Sequence, residues 1–286
     1  MKFQIITDTC CDFPAEMYQQ LELAAVPMAV HFQGETVTRC DDAWIKEIYE
    51  GLRQGKVATT SAINPQTWQE EMEKHLKEGK DVLILPLSSG LSTTYQSAMI
   101  AKGEIEEAYP ERTIRVVDTL AASMGQGLLV YYAAKLRDEG KSVDEVADWC
   151  EENKQNICLW FTVDDLMYLK RGGRVSAATA LMGTMLQIKP ILHCNEEGKL
   201  VSVAKARGRK AAIAGLAKKL EELGLSGRND VCFISHGDCP EDAEVLANMI
   251  REKYGVTTVI TSYIGAVIGS HSGPGTLALF FVGAHR

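Results

Sequence analysis

Apolar and polar positions alternate along the first half of the chain in blocks that read strand, turn, helix. "FQIITD" (residues 3–8) is a short apolar run closed by an acid, the pattern of a buried strand. "AAVPMAVHF" (24–32) is also extended, and Pro27, with no N–H to give a ladder, marks an edge or irregular position. "DDAWIKEIYEGLRQG" places Trp44, Ile45, Ile48 and Leu52 at helical spacing, with Asp41 or Asp42 as cap and Gly55 as stop. "NPQTWQEEMEKHLKEG" repeats that grammar, with Asn64 capping and Pro65 in the first turn. A strand "DVLILPL" (81–87) follows, then a helix to Tyr109, a strand "TIRVVDT" (113–119) and a helix "SMGQGLLVYYAAKLRDEG" (123–140). Strands alternating with helices imply right-handed β-α-β units and a mostly parallel sheet. Ligands bind such sheets outside the carboxyl ends of the strands. Three polar clusters fall there: "TDTCCD" (7–12), "LSSGLSTT" (87–94) and "DTLAAS" (118–123).

The grammar changes after residue 156. "ICLWFTV" reads as a strand, and "DDLMYLKRGGR" as a short helix breaking at Gly172 and Gly173. "LQIKPILHCNEEGKLVSVAKARG" reads as an antiparallel hairpin turning at Asn195 to Gly198. "DVCFISHG", "TTVITSYIG" and "GTLALFFVG" are further strands, with a helix "CPEDAEVLANMIREKYG" between the first two. The expected fold is α/β with two domains: 1–156 around a mostly parallel sheet, and 157–286 around a mixed sheet with helices.

At 286 residues the chain has the length of two domains, and a hydrophobic fraction of 46% allows a sizeable core. A net charge of −8 argues against nucleic acid or an anionic lipid surface as the main partner. The eight cysteines form no C-x-x-C pair, which fits reduced thiols. No apolar run approaches the ~20 residues of a membrane span, and "MKFQIITDT" lacks a signal-peptide core. A soluble, cytoplasmic protein is expected.

The chemistry on offer is that of holding an anion. "LSSGLSTT" puts hydroxyls beside a helix start, where free backbone N–H groups and the helix dipole favour carboxylate or phosphate. Simple capping by Ser92 or Thr93 is the plainer alternative. The run Ser89-Gly90-Leu91-Ser92-Thr93 does not match the G-x-S-x-G nucleophile elbow. "ATTSAINP" places Thr60 and Ser61 ahead of the Asn64-Pro65 helix start, and the preceding "GLRQGKV" fails as a phosphate loop because Val57 follows Lys56. "LKRGGRVS" carries Lys170, Arg171 and Arg174 around two glycines, either as a helix end or as a cationic corner facing an anion or an acidic partner. "KARGRK" adds Lys205, Arg207, Arg209 and Lys210. His271 lies on a glycine-rich turn between serines, suited to donate to a carboxylate, while His236 ends a strand. The paired acids Asp41-Asp42 and Asp164-Asp165 read as helix caps. No catalytic set, metal motif or dinucleotide fingerprint is present.

These segments, taken in order, resemble the DegV family, lipid-binding proteins that serve bacterial fatty acid kinase in phospholipid metabolism. The likeness is carried by "ITDTCCDFP", "TTSAINP", "LSSGLSTTYQSA", "VVDTLAASMGQG", "LKRGGRVS", "LQIKPIL", "KARGRKA" and "HSGPGTLALFF". It implies one long-chain fatty acid in an apolar tunnel mostly within the N-terminal domain, with its carboxylate near the domain interface. It implies that Thr60 and Ser92 hydrogen-bond the carboxylate with His271 close by, and that Arg174 and Arg207 face either the carboxylate end or the kinase. Ser61, Thr93 and Ser123 are secondary candidates. The kinase is a separate protein that makes an acyl phosphate, so this chain supplies no nucleophile, cofactor or metal. Candidate tunnel linings are Ile5, Met28, Leu83, Leu85, Met124 and Leu128. Two positions depart from the family pattern: Thr93 stands where glycine is usual, and Gln187 where asparagine is common. The fold also resembles the substrate-holding subunit of dihydroxyacetone kinases, in which a histidine holds a small ketone; His271 and His236 are the residues that reading names. A third possibility is a sensor or interaction protein whose lipid is structural.

Overall fold

The computed structural model describes residues 3–175, 187–225 and 229–286. Ser176 and Leu186, quoted in two of the motifs above, lie outside the described residues. Strands β1 (Gln4–Asp8) and β2 (Leu23–Val26) pair in parallel, and Pro27 then breaks the extended run so that β3 (Ala29–Phe32) leaves for another sheet. β3 joins β4 (Glu35–Val37) and β5 (Ala58–Ser61) in a small antiparallel sheet of order β4-β3-β5. This sheet was not expected, because β4 and β5 are three and four residues long and show no alternation. β6 (Val82–Leu85) and β7 (Ile114–Val116) complete the parallel sheet, order β2-β1-β6-β7, in which Ile5 pairs with Leu23 and Leu83. The central strand β6 is buried along its whole length, which explains its unbroken apolar sequence.

The third sheet holds β8 (Ile157–Thr162), β9 (Ile188–Cys194), β10 (Leu200–Arg207), β11 (Val231–His236), β12 (Thr258–Tyr263) and β13 (Leu277–Val282). Its order is β10-β9-β8-β13-β11-β12, antiparallel except for β11 with β12. The β9-β10 hairpin turns where the sequence indicated: Asn195 Oδ1 accepts the N–H groups of Glu197 and Lys199, and Gly198 takes φ +72°.

Ten helices pack on these sheets among the described residues: α1 (Ala15–Gln20), α2 (Asp42–Arg53), α3 (Pro65–Lys77), α4 (Thr94–Ile105), α5 (Met124–Asp138), α6 (Val143–Asn153), α7 (Met167–Arg171), α8 (Arg209–Leu223), α9 (Pro240–Tyr254) and α10 (Ala266–Ser272). Caps act as read: Asp41 accepts the Trp44 N–H at 3.0 Å and Asn64 the Thr67 N–H at 2.9 Å. Two helices lock the sheets together. α5 lies between the parallel sheet and the third sheet, with Gly125 close against Leu159 and Phe280. α10, which follows β12, crosses to pack on α2, β3 and β5. His271 is therefore in the last turn of a helix, not on the loop that its glycine-rich neighbours suggested. Arg286, nine-tenths buried, donates to the carbonyls of Thr119, Leu120, Lys154 and Asn195, tying the 118–123 loop to the hairpin turn. No helix among the described residues is long and apolar enough to cross a membrane.

Candidate functional site

A cavity of about 420 Å³ opens between the β5 and 87–93 segments on one side and β8, β13, α7 and α10 on the other. That is within the ~300–1,000 Å³ usual for small-molecule sites. Its apolar wall is mainly the third sheet. Leu159 and Phe161 on β8 pair with Phe280 and Ala278 on β13, and all four face the cavity. The alternate residues Trp160 and Leu279 face the second core, under α8 and α9. Ile264, Val267 and Ile268 add a helical stripe. The expectation places a tunnel mostly within the first half; the apolar wall of this cavity comes largely from residues after 156. Of the six expected linings only Met28 reaches the cavity. Ile5, Leu83, Leu85, Met124 and Leu128 are fully buried core, because helices cover the parallel sheet on both faces.

The polar end gathers Thr60, Ser92, Thr93, Arg174 and His271. Thr60 Oγ1 lies 2.8 Å from His271 Nε2. His271 Nδ1 has no polar partner among the described residues and packs on Gly172, where a Cβ would stand 2.3 Å from it. A buried N–H without an acceptor is harder to tolerate than a bare lone pair, so the proton is assigned to Nε2, which donates to Thr60. The Thr60 hydroxyl proton is then free to point into the cavity. Burial first, and the Arg174 charge second, push the His271 pKa down to about 4, so the ring is neutral at neutral pH.

Ser92 Oγ accepts the Thr94 N–H at 3.2 Å and lies 2.8 Å from Thr94 Oγ1. With the Thr94 hydroxyl donating, both Ser92 lone pairs are filled and its proton can point at a ligand. Thr93 occupies the cap position of α4 without a side-chain cap bond and stands exposed at the rim. Its φ of −77° is ordinary, so a threonine there needs no backbone strain. Arg174 donates to the Leu91 carbonyl at 3.2 Å and to the Gly172 carbonyl, and has no acidic partner among the described residues.

The loop that carries Ser92 is moulded by acids. Asp8 accepts the N–H groups of Cys10 and Leu87, and Asp118 those of Ser89 and Leu120. The acidic clusters thus build the loop and do not face the ligand space. Ser123, at the start of α5, also lines the cavity, with φ 53° and ψ −147°, a region costly for any residue but glycine. Its Oγ donates to Asp12 Oδ2 at 2.6 Å and lies 2.9 Å from Ser235 Oγ. Burial raises the Asp12 pKa to about 8, against the lowering effect of Ser123 and the Gly265 N–H.

Other predicted residues are not brought here. Ser61 points the opposite way to its neighbour on β5 and bonds His31. Arg207 is exposed on β10, outside the cavity lining. His236 accepts the Cys239 N–H and packs on Tyr263. Arg209 pairs with Asp242 and Asp164. Of the basic residues singled out, the cavity takes Arg174 alone. Ser89, Ser272 and Thr276 were missed. The spacing Ile264, Val267, Ile268, His271 would have signalled Ser272, because it continues the same helical face.

The family model described as "Uncharacterised protein, DegV family" matches residues 2–284. A DegV domain-containing protein of Clostridium perfringens is 46% identical over 284 residues, covering 99% of this chain and 98% of that protein. The structure is similar to that of a DegV lipid-binding protein from Thermotoga maritima, with TM-score 0.87 and 31% identity over 100% of both chains. It is equally similar to a DegV family protein from Thermus thermophilus described by its fatty acid binding, with TM-score 0.87 and 31% identity over 99% of this chain and 100% of that one. A match of this length and identity, on top of the shared fold, establishes that the chain belongs to the DegV family.

Proposed function

We propose that this protein binds one long-chain fatty acid in the cavity between its sheets and presents it to a separate kinase for acyl phosphate formation. The observation that carries the reading is the cavity's division: an apolar wall of Leu159, Phe161 and Phe280 leads to an end lined by Thr60, Ser92, His271 and Arg174. Each buried CH₂ of an acyl chain contributes about 0.8 kcal/mol, so the wall supplies the affinity. A desolvated carboxylate needs several donors, which the hydroxyls and Arg174 offer. The lipid and fatty acid binding of the Thermotoga and Thermus relatives supports the same ligand class. An apolar wall of this extent weighs against a small polar ketone. In this reading residues 1–156 and 157–286 are two domains that flank the ligand, and Arg207, outside the lining, faces the kinase.

Native mass spectrometry of the purified protein, followed by extraction of its ligand, tests the first half of the proposal. A near-stoichiometric long-chain acid is the expected result, and an empty protein that also refuses added fatty acids sinks it. Incubation with ATP tests the second half: acyl phosphate should appear when a fatty acid kinase is added and never without it.

A further inference from the structure

A second cavity, of about 260 Å³, opens further along the third sheet. Its sheet wall is the next pair on the same face: Val282 pairs with Ile157 as Phe280 pairs with Leu159. The two cavities share no lining residue. Tyr132 on α5, Trp149 and Asn153 on α6, and Asn156 and Asp230, just ahead of β8 and β11, complete the second lining. Its volume lies below the ~300–1,000 Å³ of drug-sized sites, so a ligand held there is small.

The Tyr132 and Trp149 rings stand 5.9 Å apart at 47°, an open wedge of two π faces. The polar groups, apart from the Tyr132 O–H and the Trp149 N–H, are acceptors. Asn153 Nδ2 donates to the Trp149 carbonyl at 2.8 Å, and Asn156 Nδ2 to the carbonyls of Gly283 and Ala284, both at 3.0 Å. A carbonyl accepts only from the nitrogen end of an amide, so these contacts orient both amides and leave each Oδ1 as the spare group. Neither Oδ1 has a partner among the described residues, and neither is shut off from solvent. Asp230 is exposed, and its carboxylate pairs with no cation among the described residues. No lining side chain carries a positive charge. The lysines beside Tyr132 and Asn153 are engaged elsewhere: Lys135 lies 4.6 Å over the Tyr131 ring, and Lys154 pairs with Glu151.

We propose that this cavity binds a small primary ammonium on an apolar body, with the ammonium at Asp230 and the two amide oxygens and the body in the aromatic wedge. An ammonium has three N–H donors, and the carboxylate with the two Oδ1 atoms supplies an acceptor for each. Its charge also favours the π faces. An anion finds no positive side chain here, and an alcohol of the same shape has one donor and no charge to set against Asp230. The site is independent of the fatty acid reading, because none of its residues lines the first cavity.

Calorimetric titration of the purified protein with 2-phenylethylammonium and with 2-phenylethanol, which match in shape and differ in charge, tests the proposal. Wild type should bind the amine saturably and the alcohol at least about tenfold more weakly, with amine affinity falling as salt is raised. Asp230→Asn should weaken the amine about tenfold and leave the alcohol within about twofold of wild type. Its melting temperature should stay at the wild-type value, since the residue is exposed. Glu35→Gln removes the same charge from exposed β4, outside the lining, and should leave amine affinity within about twofold. No saturable binding at about 10 mM amine, equal affinity for amine and alcohol, amine affinity untouched by Asp230→Asn, or an equal loss in Asp230→Asn and Glu35→Gln each overturns the proposal.

Discussion

Replacing Asp12 by asparagine should change how the stability of the ligand-free protein depends on pH. Asp12 is buried under the cavity floor, accepting from Ser123, with its pKa raised from 3.8 to about 8. Between those values the folded protein holds one proton more than the unfolded chain. Stability therefore falls as pH rises, by about 1.4 kcal/mol per unit, on the order of 5 kcal/mol in all. The contribution is complete below pH 3.8 and gone above about 8. His271 works against it. Its pKa is lowered from 6.5 to about 4, so across that range the unfolded chain holds the extra proton and stability rises with pH at a similar slope. The two effects cancel between about pH 4 and 6.5, and of the two the Asp12 decline alone continues from 6.5 to 8. Asp12→Asn keeps an acceptor for Ser123 and removes the titration. Urea unfolding of delipidated protein from about pH 4 to pH 9 should show wild-type stability falling by about 2 kcal/mol between pH 6.5 and 8 relative to the variant. Delipidation matters because bound ligand adds its own stabilisation. Asp8, also raised by burial, titrates in both proteins. Parallel curves for the two proteins would falsify the claim that Asp12 is held neutral.

Three other substitutions have clear expectations. Ser92→Ala should weaken fatty acid binding by about 1–3 kcal/mol in a titration, since a desolvated carboxylate loses a donor; equal affinity removes Ser92 from the site. Gly172→Ala forces a methyl to within 2.3 Å of His271 Nδ1, so the imidazole must swing away from Thr60. Affinity should fall about tenfold with a modest change in melting temperature, and wild-type affinity would mean that the imidazole is not held by this contact. Arg286→Ala removes a donor from four carbonyls, of which those of Leu120, Lys154 and Asn195 keep a second one, and should cost about 1–3 kcal/mol in urea unfolding; a loss under about 0.5 kcal/mol, the level of an ordinary surface change, would contradict the stapling role.

What could be read from the sequence followed the strength of the local signal. Helices with a capping residue and an apolar stripe, such as α2 and α3, stand where Asp41 and Asn64 put them. The long strands of both larger sheets stand where their apolar runs lie. β4 and β5 were invisible because three or four residues carry no period, and Thr60 consequently looked like part of a loop. The hydroxyls of the cavity were visible as clusters because Thr60 and Ser92 sit at chain turns rich in such residues. Which basic residues face the cavity was not visible. Arg174 and Arg207 look alike in sequence, and only the path of the chain after α7 turns one inward. The apolar lining was misassigned for a related reason: burial against a helix and burial against a cavity leave the same apolar letter in the sequence, as Leu83 and Phe280 show.

Thr60 and His271 touch across 211 positions of chain. A contact of that span closes a very long loop, and such contacts form late because their entropy must be met before they are rewarded. The first sheet, α4 and the 87–93 loop can all assemble before α10 has found its place on β5. The head end of the cavity is then among the last parts of the molecule to exist. Ligand capture during refolding should therefore lag the return of helical signal and track the final docking step, so a labelled fatty acid would time the end of folding.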